Sequence, residues 1–245
     1  MDASYSPIKR HAKLSNLVAE QIQQLILAKT IKPGDRLPSE RELGDQFQVS
    51  RTVIREAIRT LEARGLLDSQ SGSGNYVRAL QGGDVSNSLE MYLSSQDQTF
   101  SFADIMEVRR VLEVQTVKLA AERATPEIID RLDEIVEKMC HSQGDFDAFS
   151  KWDLEYHLTI AKACKNELFV ILMEPLAGAL FEEIWTASTT PGAVEDACSF
   201  HGRILDAIRN RDPLHAVELM KAHLDQSERV AREGQKYRLM DEGGL

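Results

Sequence analysis

The chain has 245 residues, 42% hydrophobic and 28% charged, with a net charge of −10, which is enough to bury a full core and favours two domains over one. No run of about eighteen apolar residues is present, and the polar, basic stretch from Met1 to Lys13 has no apolar segment behind it, so a membrane span and an export signal are excluded and a cytoplasmic protein is expected. The cysteines Cys140, Cys164 and Cys198 are odd in number and widely spaced with no C-x-x-C pair, the pattern of reduced thiols packed as small hydrophobes.

Charge is unevenly divided. Residues 1–80 hold 12 basic and 9 acidic side chains, a balance of +3, whereas residues 81–245 hold 17 and 30, a balance of −13. Only the head is suited to meet a polyanion, because the body would be repelled by one.

The first predicted helix spans 14–27, where Leu14, Leu17, Val18, Ile22, Leu25 and Ile26 recur at helical spacing. Pro33-Gly34 closes it. Ser39 and Glu42 form a capping box for a short second helix ending near Phe47. Val49-Ser50 turns the chain into a third helix, in which Ile54, Ala57, Ile58 and Leu61 make the buried stripe and Arg51, Arg55 and Arg59 line a neighbouring face. After Gly65, two short strands (66–70 and 75–78) flank Ser71-Gly72-Ser73-Gly74, the pattern of a β-wing. An arginine row alone is more often a solvated helix face, but its position between a helix-turn-helix and a wing points to DNA.

The motifs Leu37-Pro-Ser-Glu-Arg-Glu-Leu43, Val49-Ser-Arg-Thr-Val-Ile-Arg-Glu-Ala57, Leu61-Glu-Ala-Arg-Gly65 and Gly72 through Val77 resemble the DNA-binding domain of the GntR family. The resemblance implies that Arg41, Ser50, Arg51, Thr52 and Arg55 meet the operator and that Gly72 brings the wing tip near the minor groove. Arginine offers a bidentate fork to guanine, while Ser and Thr bond bases or phosphates. Lys29 departs from the pattern, since relatives often carry glycine just after the first helix.

Gln81-Gly82-Gly83-Asp84 reads as a flexible joint, followed by a connecting helix over about 85–93. Beyond it every periodic segment is helical: 102–124, a helix from the Thr125 N-cap and Pro126 to about Cys140, then 145–164, 167–188, 193–210 and 213–234. The fold class is therefore mainly α, an N-terminal winged helix-turn-helix plus a C-terminal antiparallel all-helical bundle of six or seven helices. The expected divisions are 10–79 for the DNA-binding domain, 80–98 for the linker and connecting helix, and 99–235 for the bundle.

Within the bundle, Asp153 and His157 are four apart and share a helix face about one turn, ~6 Å, from each other, a metal-ligand spacing. His201 and His223 each lie eleven residues from Asp212 at the turn between successive helices, so antiparallel packing sets them at one height. One carboxylate and three imidazoles suit a borderline divalent ion, Zn²⁺ first among several. His11, His141 and His215 carry no such pattern and read as ordinary packing or surface residues.

A second resemblance supports the cluster. Glu107-Val-Arg109-Arg-Val-Leu-Glu113, Asp153-x3-His157, His201-x2-Ile204 and Met220-x2-His223-Leu224 are similar to the effector domain of the FadR subfamily. It implies a metal on Asp153, His157, His201 and His223, with Arg109 facing the same effector pocket and able to pair with an organic acid. The competing reading of Arg109 is a surface salt bridge to Glu113; Glu113 and Arg110 have no assigned role. The expected protein is a homodimeric transcriptional regulator, a repressor by family habit, that binds a pseudo-palindromic double-stranded DNA operator and responds to a small carboxylate metabolite. A metalloenzyme is the alternative from another class, disfavoured because catalytic zinc usually keeps three protein ligands plus water; a purely structural metal is the third.

Overall fold

The computed structural model describes residues 13–70, 72–79, 81–94, 100–142 and 144–242. His11, Ser71 of the wing turn and linker residues 80 and 95–98 lie outside the described residues. The chain forms two compact units that divide between Asp84 and Val85.

In the first unit, α1 (Leu14–Leu27), α2 (Glu40–Phe47) and α3 (Arg51–Ala63) precede the antiparallel strands β1 (Leu67–Gln70) and β2 (Gly74–Val77), which pair Leu67 with Val77 and Gln70 with Gly74. Ser39 and Glu42 make the capping box at the start of α2, and Ser50 Oγ accepts the Val53 amide at 3.3 Å to start α3. Val18, Ile22 and Ile26 of α1 pack against Ile54, Ile58 and Leu61 of α3, with Leu37, Leu43 and Val77 closing the core. Leu14, Leu17 and Leu25, grouped with the buried face by periodicity, are exposed at 57%, 51% and 36%. The apolar stripe of α1 is wider than this small core can cover. Lys29 follows α1 with φ +56°, a left-handed backbone that explains why glycine suits this position.

The second unit holds most of α4 (Gly82–Ser94) and all of α5 (Phe102–Arg123), α6 (Pro126–His141), α7 (Phe146–Ala163), α8 (Glu167–Ser188), α9 (Ala193–Arg209) and α10 (Pro213–Glu242). α7 packs on α5, α6 and α8, while α10 packs on α5, α8 and α9. The shared core includes Val117, Leu132, Ile135, Tyr156, Ile160, Ile204, Ile208 and Met220.

Four sequence expectations are corrected here. α4 starts at Gly82, so the expected flexible joint is the first turn of a helix; the Asp84 carboxylate accepts the Gln81 amide at 3.1 Å and pairs with Arg78, anchoring that turn. Thr125 stands at the N-cap of α6 but makes no side-chain cap bond. α10 continues eight residues past the expected 234. Cys140 and Cys198 are joined as a disulfide between α6 and α9, leaving Cys164 as the buried free thiol. Packing of α6 on α9 brings two residues 58 apart in sequence to a Cα–Cα distance of 5.8 Å, a proximity that spacing cannot reveal.

Candidate DNA interface and metal centre

On the head, Arg51, Thr52, Arg55 and Arg59 are exposed on α3, and Arg41 is exposed on α2. Ser50 already uses an oxygen lone pair as the α3 cap, which leaves its hydroxyl proton to donate outward. Arg55 is not free: its Nε and Nη2 donate to Glu40 at 3.1 and 2.8 Å. That hydrogen bond and charge hold the Glu40 carboxyl below its ordinary range. Gly72 turns the wing at φ +75° with open space where a Cβ would stand. Its neighbour Gly74 has no such room, since a Cβ there would lie 2.7 Å from Arg36 Nε.

In the bundle, Asp153 and His157 project from α7, His201 from α9 and His223 from α10, and all four are buried. One ligand atom from each lies within 4.8 Å of the others. His201 Nε2 and His223 Nε2 are 3.1 Å apart, and His223 Nε2 and His157 Nε2 are 3.3 Å apart. Asp153 stands 3.5 Å from His201 Nε2 and 3.9 Å from His157 Nε2.

Burial pushes His201 and His223 well below the ordinary imidazole range, reinforced at His201 by the two other imidazoles and at His223 by His157 and Arg109. Both rings are therefore neutral at pH 7 and present lone pairs. Burial pushes the Asp153 carboxyl up. The Nδ1 atoms of His201 and His223 are buried without a hydrogen-bond partner among the described residues.

α5 supplies two side chains behind the cluster. Arg109 Nε donates to Glu113, and the other Glu113 oxygen faces His157 Nδ1. Burial raises the Glu113 carboxyl, but Arg109 and His157 outweigh it and hold it at about 2. A carboxylate facing Nδ1 favours the proton on that nitrogen, which leaves Nε2 as the lone-pair side toward the other imidazoles. The Arg109–Glu113 pair weighed from sequence as a surface salt bridge thus exists, but at 4% and 1% side-chain exposure. Tyr156 adds a further support missed by sequence reading, its hydroxyl donating to the His201 carbonyl at 2.8 Å.

This donor set fits a divalent cation. His223 Nε2 lies 3.1 Å from His201 Nε2 and 3.3 Å from His157 Nε2, about the separation of ligands that share an ion at ~2.1 Å. Two of them can share a proton, yet the third then faces lone pair to lone pair. A cation relieves that repulsion and compensates the buried Asp153 carboxylate. A cavity of about 40 Å³ adjoins the cluster, with Arg109, Asp153, Phe149 and Glu183 among its lining residues. His141 and His215 lie on exposed helix surfaces, away from this cluster.

An exposed arginine row between a helix-turn-helix and a wing, on one chain with a helical unit built around a cation-ready cluster, defines a DNA-binding regulator. Residues 14–77 match the model of the bacterial regulatory proteins of the gntR family, and residues 104–226 match the FCD domain. The HTH-type transcriptional regulator LutR of Bacillus subtilis (strain 168) is 32% identical over 206 residues, covering 82% of this chain and 93% of LutR. The HTH-type transcriptional repressor NanR of Escherichia coli (strain K12) is 30% identical over 225 residues, covering 87% of this chain and 82% of NanR. The solved Streptococcus agalactiae GntR superposes with a TM-score of 0.60 at 26% identity, over 89% of this chain and 99% of that one. The chain belongs to the GntR family, in its FadR-type branch with an FCD domain. It is a transcriptional regulator and not an enzyme. Among the described residues no helix is long and apolar enough to cross a membrane.

Proposed function

We infer that operator binding by this regulator is controlled by a small organic acid held beside a divalent metal in the helical unit, with Zn²⁺ the best-matched ion. The observation that carries this reading is the convergence of Asp153, His157, His201 and His223, together with a cavity that Asp153 and Arg109 both line. A bound cation would supply a coordination point for a ligand carboxylate. Among the described residues Arg109 hydrogen-bonds only through Nε, to Glu113, so its two terminal nitrogens remain to pair with a ligand oxygen. Glu113 and Tyr156 orient His157 and His201.

On the DNA side, the reading places Arg51 and Arg55 at base edges, Arg41, Ser50 and Thr52 at the phosphates or bases beside them, and Gly72 at the minor groove. The functional segments are those read from sequence: 10–79 for DNA, 80–98 for connection and 99–235 for effector and assembly. The protein acts as a homodimer on inverted half-sites, as one winged head makes too few contacts for a tight specific complex. Repression released by ligand is the favoured sign, supported by the name of the NanR relative.

Metal content, effector binding and operator release, measured on wild type, Asp153→Ala, His223→Ala and Arg109→Ala, test this reading. Metal should be lost from the first two variants. Arg109→Ala should keep the metal and lose the effector response. Stoichiometric metal in a His157/His201/His223 triple alanine variant would overturn the site, and an unchanged effector response after metal removal would make the metal purely structural.

A further inference from the structure

The cavity beside Asp153 is lined in part by α8. Glu183, Ile184, Ala187 and Ser188 line it there. Three other polar groups on the wall are engaged within the protein: Ser188 Oγ donates to the Trp185 carbonyl at 2.7 Å, Gln226 Nε2 donates to Asp196 at 2.8 Å, and Arg109 Nε donates to Glu113. Glu183 is different. Its Oε2 is buried and has no hydrogen-bond partner among the described residues, and no cation pairs with it there. Burial raises its carboxyl, opposed by a hydrogen bond from its own backbone amide and reinforced by the adjacent Glu182. Buried acceptors in this condition call for a donor from outside the chain.

The chemistry of that donor is limited by the wall. A hydroxyl or ammonium group satisfies a carboxylate oxygen, whereas a second carboxylate would be repelled by it. The cavity is small, about 40 Å³, so the molecule that reaches Glu183 is short. With its carboxylate at Arg109 and Asp153's metal, the other end falls to α8.

We propose that Glu183 is a specificity-determining residue, accepting a hydrogen bond from a hydroxyl or ammonium group at the far end of a short-chain monocarboxylate effector and rejecting dicarboxylates. This rests on the organic-acid reading of the cavity given above. The test uses full-length, Zn²⁺-loaded protein and calorimetric titration with two matched series: propionate, 3-hydroxypropionate, 3-aminopropionate and malonate, then butyrate, 4-hydroxybutyrate, 4-aminobutyrate and succinate. In at least one series the hydroxy or amino acid should bind about tenfold tighter than the plain acid, and the dicarboxylate should be weakest. Glu183→Leu should erase that advantage. Glu183→Gln, which keeps the shape and an acceptor oxygen, should retain hydroxyl preference, lose the preference for ammonium and admit the dicarboxylate; it decides the matter if Glu183→Leu does not fold. Plain acids binding as tightly as their hydroxy and amino analogues, or an advantage that survives both variants, would overturn the role of Glu183 while leaving the organic-acid reading intact. Failure of all eight acids to bind the metal-loaded protein would overturn that reading and this inference with it.

Discussion

Glu113 does more for the site than its distance from the ligand nitrogens suggests. It is the counter-ion of a buried guanidinium and the acceptor on His157 Nδ1 at once. Removing it as Glu113→Ala leaves Arg109 charged and unpaired in the core and frees the His157 ring to take the wrong tautomer. Breaking a buried pair in this way costs roughly 3–5 kcal/mol, and loss of a carboxylate behind a ligating imidazole weakens metal binding by about 10–100-fold. Denaturant unfolding and competition with a chromogenic chelator read the two effects separately. Wild-type values in both would refute the relay. The cluster of Asp153, His157, His201 and His223 was legible in sequence because helical period and equal distance from a turn are geometric facts, and because the resemblance to the FadR subfamily lifted an otherwise weak spacing signal. Glu113 and Tyr156 were not, since each acts through a neighbour and neither has a spacing signature.

At the level of single helices, legibility followed how plainly the buried face is apolar. α2 and α3 declare themselves through caps at Ser39 and Ser50 and a clean stripe at Ile54, Ala57, Ile58 and Leu61. α5 is placed by sequence over nearly its full length, but its buried face is not legible: it carries Met106, Arg109, Glu113, Thr116, Val117, Ala120 and Ala121, whereas Val108 is 50% exposed. A face interrupted by two charged side chains and a threonine has a weak hydrophobic period. α8 raises a different problem, because Pro175 lies inside it and has no amide proton to give the Ile171 carbonyl. Ser86 of α4 supplies the missing donor, its hydroxyl bonding the Ile171 oxygen at 3.1 Å. The connecting helix is thus hooked to the break in the helix whose far half lines the cavity beside Asp153. Ser86→Ala should cost about 1 kcal/mol, and less in a Pro175→Ala background, where α8 can satisfy Ile171 internally. A double-mutant cycle by thermal unfolding measures that coupling; strictly additive effects would show that the two residues act independently.

For the molecule as a whole, the division of charge seen in sequence sets the terms of DNA binding. A head of +3 and a body of −13 leave attraction to the duplex to a few head arginines, so affinity must come from duplication rather than from net charge. The proposed dimer supplies it by setting two recognition helices on inverted half-sites. Within each head, Arg55 is held by Glu40 and has to exchange that partner for DNA, whereas Arg51 is exposed at the first turn of α3 and carries no such cost. Arg51 is therefore the sharper probe of base reading. Arg51→Ala should lose about 1–3 kcal/mol per site at the selected operator and relax base preference there, with the fold unchanged because the side chain packs against nothing in the core. The logarithm of wild-type affinity should fall linearly with the logarithm of salt concentration as bound counterions are released from the phosphates. Gel shifts over a salt series, sequence selection with both proteins and sedimentation at operator-binding concentrations provide the measurements. An Arg51→Ala protein that binds the selected operator as tightly as wild type would remove Arg51 from the interface, and a monomer protecting one unrepeated half-site would remove the dimer.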